Sequence, residues 1–176
     1  MSTLPNTYTA LVGSAATHFR SAIESAQSDG AFTYDVGPGG YKRPGLMSRF
    51  PADCCDSASW LLHRFILEEL SLDSVCVIGA YQRDGKPTEY HSWLRLKDGL
   101  VIDITGDQFR NRRDFGCFNR PVFCGYDYPL SDYFGNQKAE FVEDFSNHGV
   151  DFGANGERLD LVRLDCWYSR IIEHLG

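Results

Sequence analysis

The sequence predicts an α+β fold in which N-terminal helices pack on an antiparallel sheet, and three observations predict it. Two stretches with apolar residues three and four apart come first, at 7–28 and from about residue 53 to 70. Consecutive strand-like runs follow: "SVCVIGAYQ" (74–82), "YHSWLRLK" (90–97) and "LVIDITG" (100–106). Helices and strands are thus segregated rather than alternating, which favours α+β over a parallel α/β arrangement.

In the first helix Tyr8, Leu11, Val12, Ala15, Phe19, Ala22, Ile23 and Ala26 share one face. "DGAFTYDVGPGGYKRPG" (29–45) is rich in Gly and Pro and reads as a long loop. The second helix begins near Asp53 or Cys54, with Ala58, Leu61, Leu62, Phe65, Ile66 and Leu70 as its apolar set. "KDG" (97–99) is a tight hairpin between the second and third strands, with Gly99 able to take positive φ. A turn centred on Asp98–Gly99 pairs residues whose numbers sum to about 197, which places Asp103 diagonal to His91 or Trp93. "RPVFCGY" (120–126) suits a strand or a helix. "SDYFGNQKAEFVEDFSNHG" (131–149) reads as a short helix, and "RLDLVRLDCWYSRIIEHL" (158–175) as a closing one.

The 176 residues suit one domain spanning 1–176, long enough to bury a core without staples. Hydrophobic residues at 43% argue against disorder, and a formal charge of −7 argues against a nucleic-acid partner, since phosphate neutralisation needs a basic surface. The basic run "FRNRRDF" (109–115) is interrupted by an acid and reads as a solvated turn. No segment approaches the ~20 apolar residues that span a bilayer. The N-terminal stretch lacks the charged start and apolar run of a signal peptide, which predicts a cytoplasmic protein or an effector delivered without one. Reduced thiols are the corresponding expectation for Cys54, Cys55, Cys76, Cys117, Cys124 and Cys166.

Chemistry concentrates in "FPADCCDSASWLLHRFILEEL" (50–70), where two adjacent cysteines stand at the start of a helix. Unpaired N–H groups and the helix dipole stabilise a thiolate there; the bland alternative is two small buried hydrophobes. His91 shares a strand face with Trp93 and Arg95. Asp103 is the lone acid of an apolar run, and a buried carboxylate demands a hydrogen-bonding partner. That partner is His91, or else Asp103 pairs with Arg95 or caps a turn. A zinc site built from Cys54, Cys55, His91, Cys117 or Cys124 fits poorly, because adjacent cysteines and the six-residue gap of "CFNRPVFC" depart from C-x₂₋₄-C spacing. No metal and no cofactor are expected.

Cysteine opening the helix "CDSASWLLHRFI", then "HSWL", then "DGLVIDIT", resembles the transglutaminase-like branch of the papain-like cysteine hydrolase superfamily. The resemblance covers residues 50–109. It implies a papain-like core and a Cys-His-Asp triad of Cys55 or Cys54, His91 and Asp103, acting on an amide bond of a protein or peptide substrate as peptidase, deamidase or transglutaminase. Cys55 is favoured over Cys54, because Ser59 then falls four residues on and the apolar pairs Leu61–Leu62 and Phe65–Ile66 fall where the family has them. The glutamine that papain-like enzymes carry before the nucleophile is missing from "RPGLMSRFPAD". Gln108 can replace it as oxyanion donor only if the chain folds back. Trp93 is expected as wall or lid over the imidazole, and Tyr41, Phe109, Tyr126 and Tyr128 as groove lining unless they pack the core. The competing expectation is an inactive binding or inhibitory module on the same fold.

Overall fold

The computed structural model describes residues 7–35, 42–140 and 159–176. α1 (Thr7–Ser28) and α2 (Cys55–Leu70) form where the apolar periodicity places them, and α3 (Leu159–Ile172) is the closing helix. Between α1 and α2 the Gly/Pro-rich stretch is not all loop: β1 (Thr33–Asp35) and β2 (Lys42–Pro44) pair as a small antiparallel ribbon. Four further antiparallel pairings join β3 (Ser74–Tyr81), β4 (Glu89–Leu96), β5 (Val101–Asp103), β6 (Phe123–Gly125) and β7 (Gly135–Glu140) into one sheet of order β6-β5-β4-β3-β7. The short helix expected over 131–149 is corrected. Residues 129–132 make one 3₁₀ turn and 135–140 are a strand on β3, while 141–149 lie outside the described residues. The segment GNQKAE has no apolar stripe to hold a helix, and β3 offers it an open ladder. No helix among the described residues is long and apolar enough to cross a membrane.

The period-two alternation of the strands divides the interior into two cores. Cys76, Leu94, Leu96, Leu100, Ile102 and Ile104 face the helices and join Phe19, Ile23, Leu61, Phe65, Trp167 and Ile171. Phe19 of α1 stacks on Phe65 of α2 at 4.6 Å between centroids, and Phe32 meets Trp167 of α3 edge-on at 5.8 Å. On the other face Val77, Trp93, Val101 and Phe123 pack under Phe109, Phe115, Phe118, Tyr128, Leu130 and Phe134. These last six come from the turns and connections after β5 and β6. The connection that carries the basic run is a turn whose Arg112 is drawn bidentately onto Glu89 at the start of β4, at 2.9 and 3.0 Å.

One residue of register separates expectation from structure at the β4–β5 hairpin. Leu94 pairs with Ile102 and Arg95 with Val101, so the numbers sum to 196 and not 197. The loop is three residues long: Gly99 N–H donates to Leu96 O at 3.0 Å, and Leu96 N–H donates to Leu100 O at 2.9 Å. Gly99 sits at φ +89°, the left-handed position such a turn requires. A slip of one residue exchanges the two faces of a strand. The even sum therefore turns Asp103 to the same face as Trp93 and His91.

Gly79 lies opposite His91 in the β3–β4 ladder, where the pairing with β7 shifts register. A Cβ there would stand 2.6 Å from Phe134 Cβ and 3.0 Å from Trp93 Cη2. The missing side chain lets Phe134 cross the sheet and reach the imidazole. Gly79→Ala should therefore cost roughly 1–3 kcal/mol, as overpacking of a dense core does. The urea midpoint measures it, and an unchanged midpoint would show that Phe134 is free to retreat.

Candidate active site

The two cysteines meet opposite environments. Cys54 is the N-cap residue of α2, only 2% exposed and part of the helical core. Burial, reinforced by Cys55 and Asp53, pushes its thiol far above the ordinary range. Cys55, the first residue of the helix, is half-buried and lies near enough to the ring of His91 to favour its protonated form. The next residues along each element bind too: Ser92 Oγ donates to Asp56 Oδ1 in a very short contact. Asp56 follows Cys55 and Ser92 follows His91, so this bond docks the helix start beside the imidazole. No side chain caps the first N–H groups of α2.

His91 is fully buried. Its Nε2 lies 3.1 Å from Asp103 Oδ2 and 3.1 Å from the Tyr128 hydroxyl. Tyr128 in turn donates to the same Oδ2 in a very short bond. Two donors converging on one oxygen must lie close together, which accounts for the Nε2–Tyr128 approach. Asp103 Oδ1 takes the Thr105 N–H at 2.8 Å and the Thr105 hydroxyl at 3.1 Å. Four donors thus saturate the carboxylate. Because an ionised carboxylate only accepts, Nε2 carries a proton, and Nδ1 is turned away from the carboxylate. Gln108 Nε2 lies 3.3 Å from Nδ1 and donates to Thr105 O at 3.0 Å.

Charge follows from this geometry. Burial opposes a proton on His91, but the charge and hydrogen bond of Asp103, then Cys55, outweigh it and hold the imidazolium up to about 10. Burial likewise opposes the Asp103 anion, yet His91, Tyr128 and the Thr105 N–H hold its carboxyl below the usual range. Burial and the neighbouring carboxylate push the Tyr128 phenol well up, so it stays a neutral donor. Aromatic rings cage the imidazole: Phe109 edge-on at 5.0 Å, Phe134 at 5.4 Å and Trp93 at 5.7 Å.

Cys55, His91, Asp103 and Gln108 therefore come together. Gln108 arrives because Asp103 ends β5 with an Asx-type turn onto Thr105, and the 3₁₀ turn Gly106–Phe109 folds the chain back. Asp103 is at once turn cap and His91 partner, and it makes no bond to Arg95 among the described residues. The remaining candidates differ in exposure. Cys54 is packed into the core and turned from the imidazole. Trp93, 2% exposed and with its ring 5.7 Å from that of His91, is the wall of the imidazole pocket rather than a lid. Phe109 and Tyr128 are core residues as well, whereas exposed Tyr126 bonds Asp98 at the hairpin. Tyr41 lies outside the described residues. None of the six cysteines is in a disulfide, and no group of three or more His, Cys, Asp or Glu fit for a metal occurs among the described residues.

Sequence reasoning missed Tyr128 as a partner of the acid, and it missed Thr105 and Gly106. Thr105, two after an aspartate, carries an Asx-turn signal in "DIT". Tyr128 carries none, standing 25 residues from Asp103 with only tertiary packing to bring it in. Gly106 has a steric role, since a Cβ would stand 2.5 Å from Asp103 Oδ2 and 2.6 Å from Phe118. No protein-family model, curated protein or solved structure matches this chain.

Two outcomes follow from the carboxylate–imidazole pair. His91 holds its proton more tightly folded than at its ordinary 6.5. Its contribution to stability is therefore complete below about pH 6.5 and is lost as pH rises through about 10. The denaturation-midpoint difference between wild type and His91→Gln, followed from pH 6 to 11 (about one unit beyond that window at the top), should shrink across it; a difference that grows with pH refutes the charged pair. Gly106→Ala should displace Asp103 and lower the pH at which His91 titrates in NMR spectra, and an unmoved titration would exclude the clash.

Proposed function

We propose that this chain is a cysteine-dependent acyl-transfer enzyme acting on amide bonds of a protein or peptide, with a transglutaminase-like arrangement of its site. The observation that carries the reading is a buried imidazole held through Nε2 by Asp103, with the half-buried Cys55 of the α2 start beside it. The chain order supports it: nucleophile at a helix start, base on a strand, acid on the next strand.

In the resting site the Cys55 proton already stands on His91 Nδ1, and the sulfur attacks the amide carbonyl. Asp103 stabilises the imidazolium and fixes the ring. The oxyanion meets the uncapped N–H groups at the start of α2 and the Gln108 amide, each donor being worth roughly 2.7–4 kcal/mol in acyl-transfer sites. The C–N bond then breaks, the proton on Nδ1 passes to the leaving amine, and a thioester remains on Cys55. Water or a second amine, deprotonated by His91, attacks the thioester and returns the proton and sulfur to their resting state. Water yields hydrolysis or deamidation, and an amine yields transamidation.

p-Nitrophenyl acetate tests the chemistry without a known substrate. Wild type should release nitrophenol with an acetyl group trapped on Cys55, seen by peptide mass spectrometry. Cys55→Ala should abolish turnover, and Cys54→Ala should leave the site acetylated at the same residue. His91→Ala should slow the reaction on the order of 10²–10⁴-fold, the usual worth of a general base. Acetylation spread evenly over the thiols and indifferent to His91 would sink the enzymatic reading in favour of a binding module.

A further inference from the structure

We infer that Arg20, from the middle of α1, is a positioning residue for the acyl-transfer site: it clamps the segment 104–107 so that Asp103 is held on Nε2 of His91 and the Gln108 amide is placed beside Nδ1. The inference rests on the reaction proposed above, though its geometry does not. Arg20 is a charged residue on the apolar face of α1 and is only 6% exposed. Its Nη1 donates to Ile104 O at 2.6 Å, to Pro121 O at 2.7 Å and to Asp107 Oδ1 at 2.9 Å. Nη2 donates to Asp107 Oδ2 at 3.0 Å, and Nε to Glu24 Oε1 at 2.9 Å.

The positions of these acceptors make the argument. Ile104 follows Asp103, whose carboxylate is on His91 Nε2. Asp107 precedes Gln108, whose amide is on His91 Nδ1. Arg20 thus holds the inner pair of residues and His91 touches the outer pair. The guanidinium also lies 5.0 Å from the centre of the Phe50 ring, five residues before Cys55. One side chain therefore touches the lead-in to the nucleophile and both flanks of the acid's turn.

A buried ion pair is a poor source of net stability, because desolvation consumes most of the attraction. What it supplies is direction: a planar fork meets Asp107 with two parallel bonds and leaves no freedom to twist. Lysine cannot reproduce that fork, so charge and geometry can be separated by substitution.

Arg20→Lys keeps the charge and should fold. In it, acetylation of Cys55 by p-nitrophenyl acetate should fall at least tenfold through kcat with KM unchanged, and the His91 Nε2 proton resonance should move or broaden. The double variant Arg20→Gln with Asp107→Asn removes both charges together and should show the same two changes more strongly. Circular dichroism and the urea midpoint report whether each variant is folded. A folded lysine variant with wild-type kcat and an unmoved His91 resonance overturns the inference; if only the double variant folds, the same result in it does so. Should wild type itself fail to acetylate, the acyl-transfer reading falls, while the His91 resonance still decides whether Arg20 sets the ring's partners.

Discussion

The structure depends on an anion and an imidazole hidden together in an aromatic core. Neither His91 nor Asp103 reaches solvent to any useful extent, and an isolated charge at either position would be expelled or neutralised. They coexist because every lone pair of the carboxylate is met, by His91, Tyr128 and twice by Thr105. That demand explains features that otherwise look incidental. β5 stops after three residues because Asp103 spends one oxygen on the turn that ends it. Gly106 has no side chain because the carboxylate occupies its place. Tyr128 is buried hydroxyl-inward because Asp103 needs its proton.

The two faces of the sheet do different work. The helical face is aliphatic and aromatic packing with few polar atoms, and it fixes where α2 begins. The opposite face carries the imidazole, the acid and the aromatic cage. Cys55 and His91 therefore belong to different layers, and they meet only where β5 ends and the first turn of α2 docks on β4. The Asp56–Ser92 bond marks that meeting, one residue along from Cys55 on one element and from His91 on the other. A sheet with β5 two residues longer would pair β4 beside His91 and close the opening.

Local patterns carried most of the fold: helix periodicity at α1 and α2, alternation in β3 and β4, and the glycine turn between β4 and β5. What escaped were features decided by tertiary context. The strand β7 has no sequence signature beyond its lack of a helical stripe, and it exists because β3 has a free edge. The register of β4 and β5 hinges on whether the turn holds two residues or three, which "KDG" leaves open, and that single residue decides which face Asp103 takes. Cys55, His91, Asp103 and Gln108 were legible because their spacing follows element by element. Tyr128 and Arg20 were not, because they act through partners 25 to 101 residues away that only the folded chain supplies.

Adjacent cysteines look redundant in a sequence, and helix geometry explains why they are not. Successive residues of an α-helix point about 100° apart, since 3.6 of them complete a turn. At a helix start that is docked on a sheet, one direction leads inward and the next leads along the edge. Cys54, still in non-helical backbone at φ −131°, takes the inward direction and serves the core as a small apolar side chain. Cys55 takes the other and meets the imidazole. The same chemistry is thus silenced at one position by burial and given a proton acceptor at the next. Which cysteine meets the imidazole is decided by the way a bond points from the first turn of a helix, and the hydrophobic face of α2 fixes that direction through Ala58, Leu61 and Leu62.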